Sequence, residues 1–178
     1  MHCCLQERVY NPYYAYLAQR FCEYAYSFKI TLQYTLWDIF KSVEEDDDSF
    51  QGIDGVRKIS NLGRFFLHLV IHKAVPISIL KSLTFTSLSK LNSLFCQIVV
   101  GGVLCHSSSK SQKLIKEIFM RMKDTSTEAK EGLLFYISQY LSPEKLERVL
   151  KPISKTDIRL LSLQLPIART ILEGGRLI

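Results

Sequence analysis

The stretch Tyr10–Phe40, YNPYYAYLAQRFCEYAYSFKITLQYTLWDIF, decides the fold class. Asn11 is a good helix cap, and Pro12 sits where a first helical turn has no N–H bond to lose. From there Tyr10, Tyr14, Leu17, Phe21 and Tyr24 recur three and four residues apart. Phe28, Leu32, Leu36, Ile39 and Phe40 make a second stripe of the same period. That spacing predicts two consecutive helices whose aromatic faces pack on each other.

The pattern continues outward as helices. EEDDDSFQGIDG, which contains the acidic run Glu44–Asp48 and two glycines, reads as a loop. A third helix is expected over 56–73, with Ile59, Leu62, Phe66 and Leu69 on one face. Pro76 opens a short helix through Leu83, and Leu88, Leu91, Phe95, Ile98 and Val99 begin a long one that ends near His106. Leu114, Ile115, Ile118, Phe119 and Met122 mark another. Thr125 and Glu128 have capping-box spacing, Ser142 with Pro143 and Ser154 with Asp157 mark two further starts, and Gly174 marks an end. Pro166 should kink or split the last helix. The total is eight or nine helices, with no segment of period-two alternation. Short links between consecutive helices make antiparallel hairpins, and a row of hairpins makes an all-α solenoid of HEAT-like units. A compact irregular bundle is the alternative.

A chain of 178 residues, 47% hydrophobic and 22% charged, can bury a proper core, and it has no Pro-rich or Gly/Ser-rich linker at which to divide it, so a single domain over 1–178 is expected. The longest apolar run, 94–105, is shorter than the roughly 20 residues of a membrane span. Five scattered cysteines, an odd number, suit reduced thiols, three of them (Cys22, Cys96, Cys105) inside apolar patterns. The net charge of +6 is unevenly spread. Residues 1–56 hold 4 basic and 9 acidic side chains, whereas residues 57–123 hold 11 basic ones against Glu117. Such a basic section suits a polyanionic neighbour such as RNA.

NPYYAYLAQRFCEY and KITLQYTLWD, with NLGRFFLHLVIHKAVPISILKSLTF at 61–85, resemble the C-terminal MA3 domain of the nucleolar MIF4G domain-containing family, relatives of translation initiation factor four-G. These blocks span about half the chain. The resemblance favours the solenoid and implies a domain cut from a longer protein with an upstream MIF4G domain. It implies a nucleolar or nuclear scaffold in ribosome biogenesis, serving small-subunit ribosomal RNA processing. A DEAD-box RNA helicase is its expected partner, alongside proteins of the pre-ribosomal particle.

No constellation for catalysis is legible: there is no GxSxG, no Walker-type glycine loop and no GxGxxG, so no enzyme, cofactor or small-molecule substrate is expected. His68 and His72 are four apart, but the Glu of an HExxH motif is missing, and they read as helix-surface histidines rather than a metal site. Cys3 with Cys4, and Cys105 beside His106, lack ligand spacing. The paired Gly101 and Gly102 read as permitting close helix packing. The tyrosines read chiefly as seam residues. Tyr13 and Tyr16 lie off the main stripe and are candidates for contact with a partner or RNA, together with Arg57, Lys58, Asn61 and Arg64, where Arg57 and Arg64 stand two turns apart on one face. Direct RNA binding through the basic section 57–123 is the alternative function, and packing against a neighbouring MIF4G domain, which would require a large exposed apolar patch, is a third.

Overall fold

A computed structural model describes residues 1–45, 47–106, 111–122, 125–142 and 155–174. Among these residues every regular element is helical. They form two compact units, one of Met1–Val75 with Leu88–Val99 and one of Pro76–Ser87 with Val100–Ile178.

The first unit contains α1 (His2–Gln6), α2 (Tyr13–Tyr24), α3 (Tyr26–Glu44), α4 (Gly52–Ile71) and α5 (Lys90–Cys96). The start of α2 follows its sequence signals. Asn11 Oδ1 accepts from the Tyr13 amide at 3.0 Å, and the Pro12 carbonyl accepts from Ala15 and Tyr16. Its apolar face meets that of α3 as expected, but the seam stays partly open to solvent. The buried residues of α2 are the small ones, Ala15 and Cys22, while Phe21 and Phe28 stack at 5.0 Å and stay 44% and 39% exposed. Only the later part of the second stripe is inside, with Leu36, Phe40 and Val43. A single extended residue, Ala25, separates α2 from α3.

Helix α4 is the centre of this unit and packs against α1, α2 and α5. Ile59, Leu62, Phe66 and Leu69 are fully buried, as their period predicts, and Phe65 and Val70 are buried as well, because neighbours cover more than one side. Phe95 of α5 meets Phe40 and Phe66 edge-on at 5.0 and 5.9 Å. A Cβ on Gly63 would come within 3.0 Å of Ile98, so the glycine sets that close approach. Ser89 caps α5 through the Asn92 amide, and buried Asn92 reaches back to the Phe40 carbonyl and the Glu44 carboxylate.

The helix α4 begins four residues earlier than expected, within the stretch read as loop. Asp47 accepts from the Ser49 amide and hydroxyl to form a 3-10 turn over Asp48–Phe50. Lys58 closes that turn by donating to the Ser49 carbonyl at 2.8 Å. A Cβ at Gly55 would collide with the Phe50 carbonyl at 1.9 Å, so the turn folds back onto the first turn of α4 only because this residue is glycine.

The other end of α4 carries a Schellman closure. The Ala74 amide donates to the Leu69 carbonyl and the Lys73 amide to that of Val70, with Lys73 at φ 59°. A lysine there bears the Cβ strain that glycine avoids.

In the second unit a 3-10 helix over Ile77–Ser82 follows Pro76 and buries Ile77, Ile79 and Leu80. The long helix expected from Leu88 does not stay regular. It relaxes into a π turn at Gln97–Gly101 that ends in the glycine pair, and only α6 (Gly102–Leu104) follows. Helices α7 (Ser111–Met120), α8 (Thr127–Tyr140) and α9 (Lys155–Leu172) complete the unit, with α9 packed on α6, α7 and α8. The cap of α8 is Ser126, whose Oγ accepts from the Ala129 amide, and not Thr125, because the Thr125 hydroxyl donates to the Met122 carbonyl. Gly132 gives Phe85 its place, since a Cβ there would lie 2.9 Å from that ring. Helix α9 passes Pro166 without splitting, and Gly174 closes it with φ 76°. The starts expected at Ser142–Pro143 and Ser154 involve residues 143–154, outside those described.

Replacing Lys73 with glycine removes the left-handed strain at the end of α4. Lys73→Gly should raise stability by about 1 kcal/mol in chemical denaturation, despite the greater flexibility of glycine when unfolded.

Candidate functional site

Arg57, Asn61, Arg64 and His68 of α4, with His72 just past its end, recur every three or four residues and so share one stripe. The lower part of this stripe is used inside the protein. A five-residue helix such as α1 leaves its last carbonyls without intrahelical partners, and it is too short to stand alone. Asn61 Nδ2 donates to the Cys4 and Glu7 carbonyls at 3.2 and 2.9 Å, and Arg57 Nη1 donates to those of Leu5 and Glu7. The guanidinium is aimed by Asp54, which accepts from its Nε and Nη2 at 3.1 and 2.6 Å and also pairs with Lys58 at 3.2 Å. These hydrogen bonds, those from Arg57 first and Lys58 next, hold the Asp54 carboxyl below its ordinary range.

The residues expected to meet a partner thus divide into two groups. Arg57 (24% exposed side chain) and Lys58 (13%) are largely covered, and Asn61 is buried; all three are engaged with neighbouring chain. Arg64, Tyr13 and Tyr16 are exposed, the two rings by 61% and 57%. Charge and spacing alone could not separate these groups, because the carbonyls that claim Arg57 and Asn61 come from a segment more than fifty residues away.

Higher on the stripe, α2 lies across α4. The Tyr10 hydroxyl donates to the Arg64 carbonyl at 3.4 Å, and burial pushes that phenol up to about 12. Tyr16 stands edge-on to His68, with ring centres 4.5 Å apart, and His68 lies 4.3 Å from His72. Gln19 fixes the arrangement. Its Nε2 donates to the Glu23 carboxylate at 2.9 Å, a group that only accepts, so its Oε1 faces His68 Nε2 at 2.8 Å, and the imidazole carries its proton on that nitrogen. Gln19 is therefore a member of the site that the sequence did not single out, while His68 and His72, read from their spacing as helix-surface histidines, join it through Gln19 and Tyr16. Among the described residues no three His, Cys, Asp or Glu side chains converge on a position for a metal ion.

A second exposed feature lies on the other flank of α2. Tyr14, Leu17, Ala18, Phe21, Phe28 and Leu32 line much of an open apolar pocket of about 200 Å³. At one end the Tyr14 hydroxyl donates to the Glu7 carboxylate at 3.0 Å, a bond that raises its pKa.

Two consequences are measurable. Asn61→Leu deprives the Cys4 and Glu7 carbonyls of their shared donor, and should cost about 1–3 kcal/mol in chemical denaturation. The His68 pKa is lowered in the folded state, first by burial and then by His72. Its neutral form is thus the one the fold prefers, and the unfolded chain binds the proton more readily. Stability should be fully present above about pH 6.5 and fall as the pH drops through the lower folded-state value, a step that His68→Gln should flatten in a pH series of thermal denaturation.

The MA3 domain family matches residues 1–76, the segment that contains α1 to α4. Nucleolar MIF4G domain-containing protein 1 of Mus musculus is 35% identical over 143 residues, covering 79% of this chain and 16% of that protein. Its Homo sapiens counterpart is 36% identical over 143 residues, covering 79% and 15%. Suppressor of glycerol defect protein 1 of Schizosaccharomyces pombe is 36% identical over 89 residues, covering 50% and 12%. The chain spans about a sixth of the length of the first of these relatives. The MA3 domain is a helical HEAT-like fold, in agreement with the all-helical architecture of the described residues. The chain thus carries an MA3 match in its first 76 residues and is similar over 79% of its length to the nucleolar MIF4G domain-containing proteins.

Proposed function

We propose that the chain is a non-enzymatic protein-interaction scaffold of ribosome biogenesis, acting in the nucleolus on small-subunit ribosomal RNA processing with a DEAD-box RNA helicase as partner. The observation that carries this reading is the aromatic surface of α2 and α3. Leu17, Phe21, Tyr24, Tyr26, Phe28 and Tyr34 are all more than a third exposed, in a chain with core enough to bury them. Rigid aromatic side chains of this kind give large contact area at small entropic cost, and they are the residues that dominate protein interfaces. The nucleolar naming of the relatives supports the location, and the family consists of helical scaffold domains.

A scaffold acts on a two-lobed helicase by binding one arrangement of the lobes better than the other, which needs surface complementarity and no catalytic group. Proteins of the pre-ribosomal particle are further partners on the same reading. The open pocket beside Phe21 is of a size to receive one bulky apolar side chain, since an apolar cavity of about 150 Å³ takes up benzene. A neighbouring MIF4G domain is an alternative occupant of this surface, favoured by the same exposed apolar residues.

The test is capture of purified nucleolar DEAD-box helicases by the purified chain, with Phe21→Glu as the surface variant. Capture that falls by about tenfold or more in Phe21→Glu is expected. Undiminished capture by that variant would remove the α2–α3 surface from the contact, and no capture by the wild-type chain would remove the helicase.

A further inference from the structure

We propose that the α2–α4 face carrying Tyr16, His72 and Arg64 binds single-stranded RNA, with unpaired bases stacking on the exposed rings and phosphates held by the guanidinium and the imidazole. This goes beyond the scaffold reading and uses a different surface from the α2–α3 pocket.

The arrangement of rings is the first ground. Tyr16, His68 and His72 form a continuous ladder with ring centres 4.5 and 4.3 Å apart, and Tyr13 and Tyr16 both present more than half their surface outward. Every base has a π-face, so a row of exposed rings accepts unpaired bases with little regard to sequence, whereas a duplex keeps its bases stacked inside. The ladder is also set in advance. His68 is locked by Gln19, and Gln19 by Glu23, so ring order is not gained at the expense of binding.

Charge is the second ground. Arg64, His68 and, just past the end of α4, His72 follow one another at one-turn intervals, about 6 Å apart in rise, and since the His68 Nε2 proton is given to Gln19, the donors open to phosphate are those of Arg64 and His72. The charged group shown to act on the imidazoles from α2 is Glu23, which Arg20 pairs; Arg64 lies along α4, and exposed Lys73 follows it. Glu23 accepts from Gln19 and from Arg20 within α2 and stays half exposed, with its charge felt by His72. Apart from Glu23, whose charge Arg20 pairs, what the face turns outward is aromatic and cationic, the combination that tracks a nucleic-acid strand.

The experiment is fluorescence anisotropy of a short labelled oligouridylate with the full chain, titrated with salt. Salt-sensitive binding is expected. Tyr16→Ala should weaken it by about tenfold, with Tyr16→Phe restoring it, because the ring and not the hydroxyl does the stacking. His72→Ala should weaken it severalfold. Arg64→Gln should reduce the salt slope by about one. Far-ultraviolet circular dichroism checks that each variant folds. Absence of binding, or equal affinity in Tyr16→Ala or in His72→Ala, overturns the proposal. Preference for a duplex over the single strand, or capture of peptides in place of RNA, overturns it too. Helicase capture does not enter any of these readouts, so failure here leaves the scaffold proposal standing, and failure of that proposal leaves this one testable.

Discussion

Two side chains of α4, Arg57 and Asn61, supply the donors that the last carbonyls of α1 lack, and the first unit is arranged around that supply. Because α4 binds the α1 end through hydrogen bonds, its apolar residues remain available to α5, where Phe66 meets Phe95. The same stripe continues upward and receives α2 through Tyr10 and Gln19. Helix α2 is therefore seated by polar contacts and by small buried residues, Ala15 and Cys22. Its large aromatic side chains are not consumed in holding it down. That division of labour is the physical reason so many rings stand at the surface of a chain with a well-filled core.

The two exposed surfaces differ in kind. On one flank of α2 the rings are joined by leucines and a pocket, suited to an apolar side chain of a protein. On the other they are joined by imidazoles and a guanidinium, suited to bases and phosphates. A domain with both can hold a protein and a strand together without catalysing anything, which is the work expected of a scaffold in an RNA-processing particle.

Much of the fold was legible because it rests on local chemistry. Asn11 before Pro12, the period of Ile59, Leu62, Phe66 and Leu69, and Gly174 after a helix each act within a turn or two of chain. What was not legible depends on distant partners. Arg57 and Arg64 have the same spacing whether they face solvent or another helix, and only α1 decides that Arg57 is engaged while the Arg64 side chain stays outside. The aromatic stripes of α2 and α3 meet at Phe21 and Phe28 yet stay partly exposed, since periodicity identifies a common face and not how fully it is covered. The acidic insert looked unstructured because like charges and glycines usually are; here Asp47 and Asp54 each find a donor, and Gly55 admits the Phe50 carbonyl.

The return of residues 88–99 to the first unit has a practical bearing on how the chain is divided. The family match ends at residue 76, yet the helix that covers Phe40 and Phe66 begins at Lys90. A fragment cut at the end of the match would lose Phe95 and Ile98 and leave apolar side chains of α3 and α4 in water, which favours aggregation. Recognition of the family in sequence and autonomy in folding thus have different borders in this protein, and a soluble fragment has to be chosen by the second.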